Sequence, residues 1–339
     1  MTLTIRQTIA LLTGVLLLGS GGDTALAQTP APSPTPQPAP TAQPAPAAQP
    51  APAAQPAPAP APQNPLIKEA QQLGTDGKLP EALALYRKAL AADPRFVDAH
   101  LGAGRTLDLT GQHIDARRHF ATAIELAAPA AKAQALNAMA VSYAFEAKAA
   151  DAATFYEKVF TERMAAGNAS AATGTANAMA RVYLESGDLA NAEKWYRTGY
   201  ETSKKIPKLT PAQTDLWEMR WLHAQARIAA RRGNAADAAR HAGALKALLD
   251  KGENDDERPQ LQYLLGYIAL EAGQYDTAIA ELEKGNLTDS FVLGLIARAY
   301  EKKADTAKAT EYYRKVMAAT THSINTAFSR QWARKYLTQ

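Results

Sequence analysis

The chain has 339 residues, no Cys, 21 Pro and 20 Gly, and 37 Lys and Arg against 33 Asp and Glu, a formal charge of +4. Without Cys there is no disulfide framework, thiolate zinc site, Cys nucleophile or lipid-bearing cysteine, and so mild a charge without a Lys/Arg run does not favour nucleic acid as a partner. Fifteen of the 21 Pro fall within residues 30–65, so the length divides into a short tail and one long ordered region. Trp, Tyr and Phe total only 24 while Ala is abundant; that balance predicts helices packed closely through small side chains.

Residues 1–27 read as a cleavable export signal. Arg6 supplies a positive flank, residues 9–18 an apolar stretch, and Thr24-Ala25-Leu26-Ala27 the small residues before a cut between Ala27 and Gln28. Ten apolar residues fall short of the roughly 20 that span a hydrocarbon core. Gly19, Ser20, Gly21, Gly22 and Asp23 stop the run. The competing reading is an uncleaved anchor helix; the favoured one is a mature chain without a transmembrane segment, periplasmic or secreted.

Residues 28–63 form a Pro/Ala-rich linker. No charged residue occurs from 24 to 67, and the unit AQPAPA recurs through 42–57. Pro at nearly every second place fixes φ and removes backbone donors, so neither helix nor sheet is expected. At about 3.1 Å per residue a polyproline spacer of this length reaches on the order of 100 Å. It reads as a passive linker, as a spacer holding the ordered region away from a membrane, cell wall or partner, or as a Pro-rich ligand, the last without the flanking charge such recognition uses.

From Asn64 onward a pattern returns about every 34 residues: a helix, a turn residue, then a second helix carrying a small residue, an aromatic four places on and another small residue three places later. The clearest copies are Gly77, Ala82, Tyr86, Ala89 and Pro94, then Gly111, Ala116, Phe120 and Ala123. Looser copies follow at Ala152 and Tyr156, Ala192 and Tyr196, Ala238 with Ala242, Ala278 with Leu282, and Ala309 with Tyr313. The small residues of successive second helices step by 34, 36, 40, 46, 40 and 31. These residues resemble the tetratricopeptide repeat family over nearly all of 64–339. The resemblance implies an all-α, right-handed superhelical solenoid of about seven helix-turn-helix repeats, with approximate units 64–96, 97–130, 133–168, 173–206, 219–252, 259–289 and 290–321.

Two prolines at Pro207 and Pro211 account for the longest step, with Thr210 a good helix start. Residues 252–259 are a polar break without the spacing or glycine of a calcium loop. Residues 325–337 read as a last helix whose Phe328, Trp332 and Tyr336, at four-residue spacing, cover the open end of the array.

No catalytic constellation is visible. Six His are present, at 100, 113, 119, 223, 241 and 322, without HExxH; there is no GxSxG, and Gly102 with Gly104 lacks the spacing and Lys of a phosphate loop. No metal or cofactor is expected. In the family the first helix of each unit lines a concave groove, and carrying that register across gives Asp98 and Arg105, Gln134 and Asn137, Asn177 and Arg181, Arg220, His223, Arg227 and Arg231, Tyr263 and Tyr267, and Arg298 as groove candidates. Spacings of three, four and four put Arg220, His223, Arg227 and Arg231 on one helix face. A basic, aromatic groove suits an acidic or carboxylate-ended peptide, since Arg binds a carboxylate through two hydrogen bonds and Tyr gives stacking area. Ile67 and Gln71 stand where family members that clamp a terminal carboxylate carry Lys and Asn, so that clamp is not reproduced. The expectation is a non-enzymatic scaffold outside the cytoplasm that binds a partner protein or extended acidic peptide and supports an envelope assembly. A tethered structural spacer, or a binder of a polysaccharide or small acidic ligand, is the alternative. Arg227 and Arg231 also read simply as the solvated face of an Ala-rich helix.

Overall fold

The protein is described here by a computed structural model covering residues 64–339, so the expected export signal and Pro/Ala linker lie outside the described residues. Within them the chain forms fifteen α-helices and no strand. Seven consecutive pairs run α1 (Pro65–Thr75) with α2 (Leu79–Ala92), α3 (Val97–Thr110) with α4 (His113–Leu126), α5 (Pro129–Ala144) with α6 (Ala149–Ala165), and α7 (Ala169–Glu185) with α8 (Leu189–Ser203). They continue as α9 (Pro211–Arg231) with α10 (Ala235–Leu249), α11 (Arg258–Glu271) with α12 (Tyr275–Leu282), and α13 (Ser290–Lys302) with α14 (Thr306–Met317); α15 (Ile324–Leu337) follows alone. This is the all-α repeat solenoid that the sequence pattern predicts.

Every pair turns in the same way. Gly77, Gly111, Ala147, Gly187, Gly233, Gly273 and Ala304 all have positive φ, and each stands five residues before the small residue of its second helix. A left-handed residue stops the first helix and redirects the chain into the second. Five of the seven are glycine; Ala147 and Ala304 adopt the same conformation at φ 54° and 60°. Side-chain caps set several starts: Asn168, Asp188, Asn234 and Asp305 each accept from a backbone N–H of the following first turn. Thr210 and Gln213 complete a reciprocal capping box at the head of α9.

Packing follows the small residues. Ala82, Ala116, Ala152, Ala192, Ala238, Ala278 and Ala309 are all fully buried. Close approach is sharpest at Gly102, where an added Cβ would lie 2.2 Å from the Tyr86 ring of the preceding unit, and at Gly104, where it would lie 2.5 Å from Phe120. Large residues of second helices thus fill space that glycine opens on first helices.

α15 does more than cover the end of the array. It packs on α13 and α14, with Trp332 against Phe291 (4.9 Å between ring centres) and Tyr336 against Tyr313 (4.8 Å), and it also reaches α5 and α7. Its polar side chains donate to carbonyls at helix ends. Arg330, 3% exposed, donates to Leu109 O near the end of α3, to Met317 O at the end of α14 and to Ala319 O just beyond it, at 2.6–2.8 Å. Gln331 donates to Ala144 O, the last carbonyl of α5. Just before α15, Thr320 donates to Thr75 O at 3.5 Å and His322 bonds the buried Asp108. The C-terminal segment therefore ties the last unit back to the first three, whereas in a simple solenoid each repeat touches only its neighbours.

Candidate functional site

The first helices of units four, five and six bring most of the predicted groove residues together. Arg181 and Glu185 stand one turn apart on α7, and Arg220, His223, Arg227 and Arg231 follow one another along α9; Tyr263 and Tyr267 lie on α11. The α9 residues do not share one environment. Arg220 is 46% exposed, lying over the Trp217 ring at 4.7 Å and 3.9 Å from Glu257. Arg227 is 3% exposed, donating to the hydroxyls of Tyr196 and Tyr263 with Glu185 3.8 Å away. Arg231 is half-buried, donating to the Tyr267 hydroxyl, with Glu185 at 3.7 Å and Glu271 at 3.9 Å.

An open basic face lined by two tyrosines is therefore not what these residues form. Tyr263 and Tyr267 are buried, and Arg227 spends its donors inside the protein. The carboxylate that gathers the arginines belongs to the chain itself: Glu185, 1% exposed in its side chain, faces Arg181 at 3.3 Å, Arg227 and Arg231. The physical reason is the cost of burial, since a guanidinium out of water requires an anion and hydrogen-bond acceptors beside it. Burial works against the Arg227 cation, but the phenol oxygens of Tyr196 and Tyr263, with Glu185, outweigh it and hold the side chain charged. Burial, then Arg227 and Arg181, push the His223 pKa well below its ordinary value, so its ring is neutral at neutral pH. Burial likewise raises the Tyr267 phenol.

Beside this cluster a pocket of about 490 Å³ opens between α7, α9, α11 and the start of α15. Asn177, Arg181, Arg220, His223, Arg227 and Tyr263 line it, with Met219, Leu245 and Ile324 as apolar wall. Arg298 lies apart, over the Trp332 ring at 4.8 Å, in a second pocket of about 360 Å³ that also takes in Glu185, Arg231 and Tyr336. Asp98, Arg105 and Gln134 line a third with Tyr86, Thr320 and His322. There burial lowers the Arg105 pKa, opposed by Tyr86 and Asp98. Asn137 is half-buried on α5, outside all three pockets.

Sequence reasoning missed Glu185, Tyr196 and Asn325, which border the same region, and the start of α15 as one of its walls. Glu185 carried one readable signal, its place one turn after Arg181 on a helix. Among the described residues no group of three or more His, Asp or Glu is placed to hold a metal ion, and no helix is long and apolar enough to cross a membrane.

Paired antiparallel helices, a left-handed turn and a buried small residue at a fixed offset define a helical repeat protein. Residues 75–140, 259–286 and 292–323 each match a family model described as Tetratricopeptide repeat. These three stretches are tetratricopeptide repeats, and repeats of this kind form protein–protein interaction scaffolds. Among solved structures the chain is similar to a tetratricopeptide repeat protein from Parabacteroides merdae ATCC 43184, at 12% identity over 80% of this chain and 97% of that one, with a TM-score of 0.49. It is also similar to a chain of the APC/C hetero-tetramer Cut9-Hcn1, at 16% identity over 80% of this chain and 48% of that one, with a TM-score of 0.41. No curated protein matches the chain.

Proposed function

We propose that the protein is an exported, non-enzymatic scaffold whose inner face, at units four to six, holds an acidic extended segment of a partner in an envelope assembly. The observation that carries this reading is the contrast along that face. The C-terminal segment lies against α3 and α5, while between α7, α9 and α11 a pocket remains whose rim includes the exposed Arg220 and Gln260. An acidic segment crossing that rim meets a guanidinium already flattened on Trp217, where partial shielding from water strengthens its pairing with a carboxylate. Export is supported by the apolar run and small-residue site of residues 1–27. The Pro/Ala stretch would then give the repeat region reach from an attachment point.

The test is a pull-down from envelope extract with wild type and Arg220→Glu, alongside their melting temperatures. The reading expects a captured protein that Arg220→Glu loses at unchanged stability; equal capture by both sinks the rim as the binding face. Export is checked by N-terminal sequencing of the protein recovered outside the cytoplasm, which should begin at Gln28.

A further inference from the structure

The pocket between α7, α9 and α11 has a charge balance and an unmet hydrogen-bonding capacity that the chain does not itself complete. Three arginines line it, Arg181, Arg220 and Arg227, against one lining carboxylate, Glu257; Glu185 stands directly behind Arg181 and Arg227, and Asp289 behind Asn325. His223 adds no charge at neutral pH. Arginines thus outnumber carboxylates on the wall itself. The unmet hydrogen-bonding capacity lies at Arg181. Its nearest carboxylate oxygen, on Glu185, is shared with Arg227, and its Nη2 is buried without a hydrogen-bond partner. His223 Nε2, from the same pocket wall, is also buried and unpartnered. Buried polar atoms left in this state are costly, which is why native proteins keep few of them without a use.

Part of the wall is apolar, beside the polar Asn177, Gln260 and Asn325. The Arg181 guanidinium lies over Phe291 at 4.2 Å with the Tyr263 ring at 6.0 Å, and Met219, Leu245 and Ile324 face the same space. A volume of about 490 Å³ falls in the range of small-molecule pockets and is too confined for a folded segment. We infer that this pocket binds one small monocarboxylic acid with an aromatic or aliphatic body, its carboxylate taken by Arg181 and the body lying between Tyr263, Met219 and Leu245. One guanidinium with an unused donor beside a neutral histidine suits a monoanion better than a phosphate dianion, whose second charge would be buried without compensation. This goes beyond the scaffold reading and does not depend on it, because the ligand needs no partner protein.

The full chain is titrated calorimetrically with phenylacetate and with its neutral isostere phenylacetamide, and thermal unfolding is followed in both. Phenylacetate should bind saturably at one per chain and raise the melting temperature; phenylacetamide should bind at least about tenfold more weakly, the cost of one unformed charged pair. Arg181→Gln should remove that preference. Ala178→Phe, which fills the pocket without touching a charge, should abolish binding while the helical circular dichroism is kept; it serves as the second test where Arg181→Gln does not fold. Equal binding of acid and amide, acid binding unaltered by either substitution, or no saturable binding of phenylacetate at millimolar concentration overturns the inference. Partner capture is scored separately, so loss of one activity does not count against the other.

Discussion

His322 bonds Asp108 at 2.8 Å across 214 residues of chain. The same carboxylate, fully buried, accepts from His113 Nδ1 and from Ser142 Oγ, each at 2.9 Å. Three donors from the second, third and C-terminal parts of the array thus converge on one side chain, and Arg330 and Arg334 reinforce the junction through Leu109 O. A repeat protein in which distant units share such a point should unfold more cooperatively than a sum of neighbouring pairs.

Asp108 should make the fold sensitive to acid. Burial alone would raise its pKa, but the bonds from His113, His322 and Ser142 outweigh burial and hold it below the ordinary carboxylate value. A group depressed in the folded state contributes stability above its unfolded pKa of about 4, and that contribution is lost as pH falls through the folded value. Urea denaturation of wild type should therefore show stability falling below about pH 4. Asp108→Asn should be destabilised at pH 7 by at least ~1–3 kcal/mol, since one amide oxygen cannot accept all three donors, and its stability should depend less on acid. Parallel pH profiles for the two proteins would remove Asp108 from that role.

Phe328 on α15 is 2% exposed and belongs to the same core as Phe145 of the third unit and Phe291 of the seventh. Its truncation to Ala should cost about 3–5 kcal/mol, the usual range for a buried Phe. Because α15 also touches α5 and α7, amide exchange in the variant should speed up in those helices as well as in α13. A cost below ~1 kcal/mol, or exchange confined to α14 and α15, would mean that the C-terminal helix is only lightly docked.

Two small-residue substitutions should act in opposite directions. Gly102→Ala gains about 1 kcal/mol of helix propensity, yet its methyl would lie 2.2 Å from the Tyr86 ring. Overpacking of that kind costs ~1–3 kcal/mol, so the net effect should be destabilising. Ala147→Gly relieves a β-carbon at φ 54° and should stabilise by a few tenths to about 1 kcal/mol, the strain of a left-handed non-glycine residue less the entropy of the unfolded glycine. Thermal melts of both variants decide it; a stabilised Gly102→Ala would refute the tight contact.

The difference between those two positions shows what a sequence can carry. The register of buried alanines, the paired helices and the start of α9 at Thr210 were legible because each depends on residues a few places apart. Ala147 and Ala304 hid two of the seven turns, since tertiary packing imposes a left-handed conformation there that nothing local announces. The aromatic stripe of α15 was legible as a packing surface, but its second face, where Arg330 and Gln331 reach α3 and α5, was not, because a carbonyl at a helix end has no sequence signature. The candidate site divides along the same line: spacing placed Arg220, His223, Arg227 and Arg231 on one helix, while the burial of Arg227 depends on Tyr196 and Glu185 from another unit.

That division makes charge reversal on α9 a sharp test of the arrangement. Arg227→Glu would set two carboxylates near each other where Arg227 and Glu185 now stand 3.8 Å apart, and would leave the hydroxyls of Tyr196 and Tyr263 without their donor. Losing one partner of a buried ion pair costs about 3–5 kcal/mol, and the added like charge makes the loss larger. Arg220→Glu exchanges a half-exposed side chain whose carboxylate neighbour is 3.9 Å away, and should change stability by less than about 1 kcal/mol. Denaturant titration of the two variants, at low and high salt, separates them: the Arg227 loss should persist in salt, because the buried pair is shielded from ions, while any Arg220 effect should fade. Loss of partner capture by Arg227→Glu would then follow from a disrupted groove, so only Arg220→Glu reports on binding itself. Comparable melting points for the two variants would mean that Arg227 is far more accessible than its contacts with Tyr196, Tyr263 and Glu185 allow.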